Sequence, residues 1–264
     1  MQSVRSGDGT RIAYERSGQG PPVVLVAGAL CDRRAAAPIA ELLSAHCTVY
    51  NYDRRGRGDS TDACTVFGTP ADALRREIED LEAVLGAAGG PAGVWGSSSG
   101  AVLAAEAVAA GLPITRLAMW EPPYGLTEED SRGHLGYTRR LEETVAEGRH
   151  GDAAALFLGH IGVPEEFIAG MRRSPAWPAM EKIAPTLRYD AAALGDGLLP
   201  AGRLAALTIP VLVLDGGASM DVLRSAARAV AGTIPDALHR TLEGQEHNVA
   251  AEAIVPALAE FFAR

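Results

Sequence analysis

Gly96-Ser97-Ser98-Ser99-Gly100 is the stretch whose reading decides the fold. A short apolar run, Gly93-Val94-Trp95, leads into it, and an Ala-rich segment from about Gly100 to Ala110 leads out and closes at Gly111. The first run reads as a strand and the second as a helix. A Gly-x-Ser-x-Gly between strand and helix makes a sharp turn that holds the central serine at its tip, in a strained conformation with the hydroxyl exposed. The two glycines let the chain fold back without a Cβ clash. A mere small-residue link between strand and helix is the plain alternative. Strand, helix and a late histidine in the right order favour a nucleophile at Ser98.

Working outward, strand and helix alternate on both sides. Residues 1 to 17 read as a hairpin around Asp8-Gly9. Val23 to Val26 read as a strand, Arg33 to Ala45 as a helix, Cys47 to Tyr52 as a strand, and Thr69 to Ala88 as a long helix stopped by Gly89-Gly90-Pro91. Ile114 to Trp120 is the next strand. From about Pro123 to Ala192 the alternation ceases and only helices and loops are expected. It resumes with a strand at Ile209 to Leu214, a helix near Val222 to Ala231, a strand at His239 to Leu242 and a final helix to Arg264. Such alternation predicts a mostly parallel α/β sheet with helices on both faces. The helical block is an insertion at the carboxyl end of a strand, the end where ligands bind in such sheets. One core of residues 1–122 and 193–264 is therefore expected, carrying a helical cap of residues 123–192.

The 264 residues are 47% hydrophobic and 22% charged, ordinary values that exclude a disordered or fibrous chain. The formal net charge of -9 repels phosphate backbones, so no nucleic-acid partner is expected. Cys31, Cys47 and Cys64 are scattered and odd in number, which fits a reducing compartment better than a disulfide framework. With no apolar signal core after Met1 and no run of about 20 apolar residues, a cytoplasmic protein without a membrane partner is the expectation.

A serine nucleophile needs a base. His247, in Gly244-Gln245-Glu246-His247-Asn248, lies between the last strand and the last helix, where a loop can swing an imidazole toward Ser98. His46 precedes the serine, His134, His150 and His160 fall in the helical block, and His239 begins a strand.

On these residues the chain resembles the alpha/beta-hydrolase family. The resemblance runs through Ala27-Gly28-Ala29, Asp53-Arg54-Arg55-Gly56-Arg57-Gly58-Asp59-Ser60, the turn at Ser98 and Gly244 to Asn248. It implies the alpha/beta-hydrolase fold with a helical cap insertion, and a nucleophile, an acid and a histidine in that chain order. It also implies an oxyanion site built from the backbone amides of Ala29 and Ser99. The Asp53 to Ser60 stretch reads as a structural turn, and its three arginines as part of that turn rather than as a phosphate site. Three departures stand out. Ala27-Gly28 replaces the frequent His-Gly, Ser97 replaces a frequent histidine before the nucleophile, and Ser219 stands where the family's acid is usual. Three carboxylates can substitute: Glu121 after the strand ending at Trp120, Asp215 at the end of the penultimate strand, and Asp221 two residues past the usual place. Glu121 is preferred, because some members carry their acid after the earlier strand and a glutamate has the longer reach; Asp221 and Asp215 remain alternatives.

The chemistry expected is hydrolysis of an ester or related acyl bond of a small, largely apolar molecule through an acyl-enzyme on Ser98. Carbon–carbon bond hydrolysis, lactone opening and cofactor-free perhydrolysis are alternatives on the same residues, and a non-catalytic ligand-binding module of the same fold is another. No metal and no organic cofactor is implied, and the partner expected is a small-molecule substrate. The block from 123 to 192 holds six of the chain's 14 aromatic residues. Leu30, Cys31, Tyr124 and Trp177 are the residues expected to meet the substrate.

Overall fold

The computed structural model describes residues 1–64 and 66–263. Strands β1 (Gln2–Arg5) and β2 (Arg11–Ser17) form the expected antiparallel hairpin. β3 (Pro22–Val26), β4 (Thr48–Tyr52), β5 (Ala92–Ser97), β6 (Ile114–Trp120), β7 (Val211–Gly216) and β8 (Leu238–Leu242) complete one sheet. Its order is β1-β2-β4-β3-β5-β6-β7-β8, antiparallel at β1–β2–β4 and parallel from β4 onward.

Helices α1 (Ala37–Leu43), α2 (Pro70–Ala87) and α3 (Ser99–Ala109) lie among the first six strands. Between β6 and β7 come α4 (Glu128–Ala146), α5 (His150–His160), α6 (Glu165–Met171), α7 (Trp177–Ile183), α8 (Leu187–Leu194) and α9 (Ala201–Leu204). α10 (Asp221–Thr233) and α11 (Ala251–Phe262) follow. The period-two alternation of a strand splits the core into two layers. Val24 and Val26 of β3 pack with Leu81, Val84, Leu103 and Val230 on one face. Val23 and Leu25 pack with Leu43, Ile254, Leu258 and Phe262 on the other. Burial on both faces is why these strands read as unbroken apolar runs.

Several boundaries differ from expectation, among them β7, expected at Ile209 to Leu214 and found at Val211–Gly216. The helix expected over 33–45 is a 3-10 turn at Arg33–Ala36 followed by α1, whose first turn holds Pro38; proline has no N–H to carry a longer helix through that point. The helical run between β6 and β7 passes Ala192, since α8 ends at Leu194 and α9 follows. α11 ends at Phe262, and Arg264 lies outside the described residues. α2 starts at the expected Thr69, and α4 starts after a threonine of the same kind, Thr127. Thr69 and Thr127 each accept the N–H of an aspartate three residues on, which returns its carboxylate to the threonine.

The Asp53 to Ser60 stretch is a closed turn. Asp53 Oδ2 accepts the Asp59 N–H at 2.8 Å, and Ser60 Oγ donates to the Asp53 carbonyl at 2.7 Å. Gly58 has φ +52, and a Cβ there would lie 2.2 Å from Asp53 Oδ2. Among the described residues no helix is long and apolar enough to cross a membrane.

Candidate active site

Ser98 joins β5 directly to α3. Its φ of 54 and ψ of -126 place an L-residue in the left-handed half of conformational space, at a cost of about 1–3 kcal/mol that the surrounding structure must override. Neighbouring elements supply the restraint. The Ser98 N–H donates to the Trp120 carbonyl at 2.8 Å, extending the β5–β6 pairing through the turn. The two glycines are needed for space rather than for a special φ. A Cβ on Gly96 would lie 2.5 Å from Ala101 Cα, and one on Gly100 would lie 2.2 Å from the Val26 carbonyl oxygen. The strain sits on the serine itself, with its side chain left half-exposed.

Glu121 follows β6 and also has positive φ, 44. Its N–H donates to the Leu214 carbonyl at 3.0 Å, and its carboxylate is fully buried. Oε1 accepts the Gly216 N–H at 2.8 Å, and Oε2 meets His247 Nδ1 at 2.5 Å. Burial pushes this carboxyl up, but the hydrogen bonds of His247 and Gly216 outweigh it and hold the group below the usual glutamate value. The buried Ser219 hydroxyl lowers it too, although it makes no fully formed hydrogen bond. The serine at the family's usual acid position therefore sits beside the carboxylate that meets the histidine.

The alternative acids are engaged elsewhere. Asp215 is buried and faces His239 Nε2 at 3.0 Å, with Thr241 Oγ1 donating to it at 2.8 Å. The Asp221 side chain is 95% exposed, and the partner it meets is Arg224, at 3.7 Å. His247 lies in the loop between β8 and α11, and its backbone carbonyl accepts the indole Nε1–H of Trp120 at 2.8 Å. Trp120 thus contacts the site three ways: through its carbonyl to Ser98, its indole to His247 and its chain neighbour Glu121. The signal available was a tryptophan in a buried strand, whose N–H usually finds an acceptor.

At the amino-terminal side, the Ala27-Gly28-Ala29 loop runs against the turn: a Cβ on Gly28 would lie 3.1 Å from Ser98 Cβ. Ser99 is the first residue of α3, so its N–H has no partner within the helix. Ala29 and Leu30 pack against the apolar cluster of the helical block that includes Leu141, Leu158 and Leu187, and Leu30 has φ 52. Cys31 is half-buried, and desolvation pushes its thiol up. The expected substrate role of two aromatics is not reflected in their positions. Tyr124 is buried in the core layer that holds Val213 and Leu204. Trp177 is buried in the block, donates to Glu181 Oε1 at 2.8 Å and lies under the Arg172 guanidinium, 5.4 Å from the ring centre. Side chains chosen by residue type alone end in packing because large aromatics gain most by burial. Two surface clefts, one beside Glu15 and Glu41 and one beside Arg149 and Lys182, contain none of Ser98, Glu121 and His247.

A model of the alpha/beta hydrolase family matches residues 23–256. An alpha/beta hydrolase from Sphaerobacter thermophilus is similar at 51% identity, with a TM-score of 0.87, over 99% of this chain and 100% of that one. A hydrolase from Pseudomonas aeruginosa is similar at 23% identity and a TM-score of 0.76, over 100% and 98% of the two chains. A thermophilic esterase from Thermogutta terrifontis is similar at 23% identity and a TM-score of 0.69, over 98% and 96%; these last two likenesses are of fold.

Proposed function

The chain belongs to the alpha/beta hydrolase family, and from that membership and the arrangement around Ser98 we propose that it is a serine hydrolase cleaving an ester of a small, largely apolar molecule. One observation carries the reading: His247 Nδ1 meets the buried Glu121 carboxylate at 2.5 Å, while the residue before that glutamate accepts the Ser98 N–H. A Nδ1 engaged with a carboxylate leaves Nε2 as the acceptor for a serine proton. Ser98 Oγ then attacks the carbonyl carbon as its proton passes to His247. The amides of Ala29 and Ser99 take the developing oxyanion. Glu121 holds the ring and stabilises its cation. The proton passes to the leaving alkoxide, and water resolves the acyl-enzyme by the same route. The helical block between β6 and β7 acts as the lid, with Leu30 and Cys31 at its junction with the core, and the reaction needs no cofactor.

The test is hydrolysis of short aryl esters by the wild type and by Ser98→Ala, with fluorophosphonate labelling beside it. The wild type should turn over and label, and Ser98→Ala should do neither. Equal turnover by the two would overturn the reading.

A further inference from the structure

The arginines of the Asp53 to Ser60 turn do more than close it. Arg54 and Arg57 are buried, and both reach Asp190 on α8, in the helical block. Arg54 Nη1 donates to Asp190 Oδ1 at 2.7 Å, and Arg57 Nη2 to Oδ2 at 2.7 Å. Glu77 of α2 takes Arg54 Nε at 2.8 Å, so each buried cation has a buried carboxylate to match it. A network that only docked the block could end there. This one continues to the two backbone units that flank Ser98. Ser99 Oγ donates to Asp190 Oδ1 at 2.7 Å. Arg57 Nη1 donates to the Gly28 carbonyl at 2.6 Å, and Arg54 Nη1 to the Ala27 carbonyl at 3.2 Å.

The Gly28 carbonyl and the Ala29 N–H are opposite ends of one trans peptide. A guanidinium fixed on the carbonyl fixes the direction of the N–H, and it polarises the peptide so that the N–H becomes a stronger donor. Ser99 is held through its hydroxyl at the start of α3, where its own N–H has no helical partner. We propose that Asp190, acting through Arg57 and the Ser99 hydroxyl, is a positioning residue that aims both oxyanion donors, so that the helical block takes part in assembling the site. The inference rests on the reading of the Ala29 and Ser99 amides as those donors.

Oxo and thiono forms of one aryl ester test it. The thiono form develops negative charge on sulfur, a poor hydrogen-bond acceptor, so the ratio of kcat/KM between the two reports how well the donors are aimed. In Asp190→Asn and Arg57→Lys the ratio should fall about 10-fold or more, with kcat for the oxo ester falling in step and KM within about threefold. Ser99→Ala deletes one hydroxyl and leaves every charge paired. It should lower the ratio about three- to tenfold, and it decides the matter if the charge variants do not fold. A wild-type ratio in the folded variants, while Ser98→Ala is inactive, overturns the positioning role alone. Full activity in Ser98→Ala overturns the serine mechanism and this inference with it.

Discussion

The indole Nε1 of Trp120 donates to the backbone carbonyl of His247 at 2.8 Å, across 127 positions of sequence. The loop carrying the histidine is thereby pinned to the strand that carries its carboxylate partner. Trp120→Phe keeps most of the ring's packing and removes that one donor. A net hydrogen bond is worth about 1 kcal/mol, so kcat should fall about five- to tenfold with KM little changed. Steady-state kinetics on an aryl ester checks this, and unchanged kcat would show that the loop is held by other contacts.

Glu121→Gln leaves the shape and removes the charge that His247 faces. Activity should fall about 10²- to 10⁴-fold, as expected when the partner that sets the histidine tautomer is lost. Asp215→Asn and Asp221→Asn should stay within about threefold of the wild type, because neither carboxylate meets His247. The same substitution has a signature in stability. The folded Glu121 is held below its ordinary value of 4.5. Its stabilising contribution is therefore complete above that value and is lost as pH falls through the lower, folded value. Below about pH 4.5, denaturant unfolding of Glu121→Gln should show a shallower loss of stability than the wild type.

Gly100→Ala tests the close packing behind the turn. The added Cβ would meet the carbonyl oxygens of Val26 and Ala27 at 2.2 and 2.7 Å, and backbone must shift to admit it. A cost of at least about 1–3 kcal/mol is expected, with activity lowered more than about 10²-fold because the displaced strand end leads into Ala29. Thermal unfolding and ester hydrolysis on the same sample measure both.

Asp80→Asn separates docking from catalysis. Asp80 binds Arg55 through two contacts of 2.7 Å, both partners buried, and neither reaches Ala27, Gly28 or Ser99. Arg55 keeps Asp8 at 2.9 Å, so its charge stays partnered, and a cost of about 1–3 kcal/mol is expected, which lowers Tm by roughly 5 °C in a chain of this size. Turnover per folded molecule should stay within about twofold of the wild type. A large loss of turnover at temperatures where the variant is folded would place Arg55 in the same network as Arg57.

Much of this molecule was legible in its sequence because the signals are local. The period-two and helical patterns on either side of Gly96-Ser97-Ser98-Ser99-Gly100 set the order of strands and helices, and a strand–turn–helix around a serine needs only five adjacent residues. The three arginines show the limit of such reading. As sequence they are a basic cluster in a turn, and as structure they are buried cations sharing carboxylates from α2 and α8. The carboxylates are intermediate: adjacency of the two strand ends favours Glu121 as the partner of His247, and only side-chain directions bring Glu121, rather than Asp215 or Asp221, to that ring.

The sequence by itself determined the α/β frame, the turn that strains Ser98 and the position of His247 after the last strand. Tertiary structure alone decided that Glu121 faces His247, that Trp120 holds that histidine's backbone, and that Asp190 reaches Ser99 across 91 residues and Arg54 across 136. The physical reason is that backbone periodicity is written in neighbouring residues, whereas a buried charge finds its partner wherever the folded chain brings one within about 3 Å.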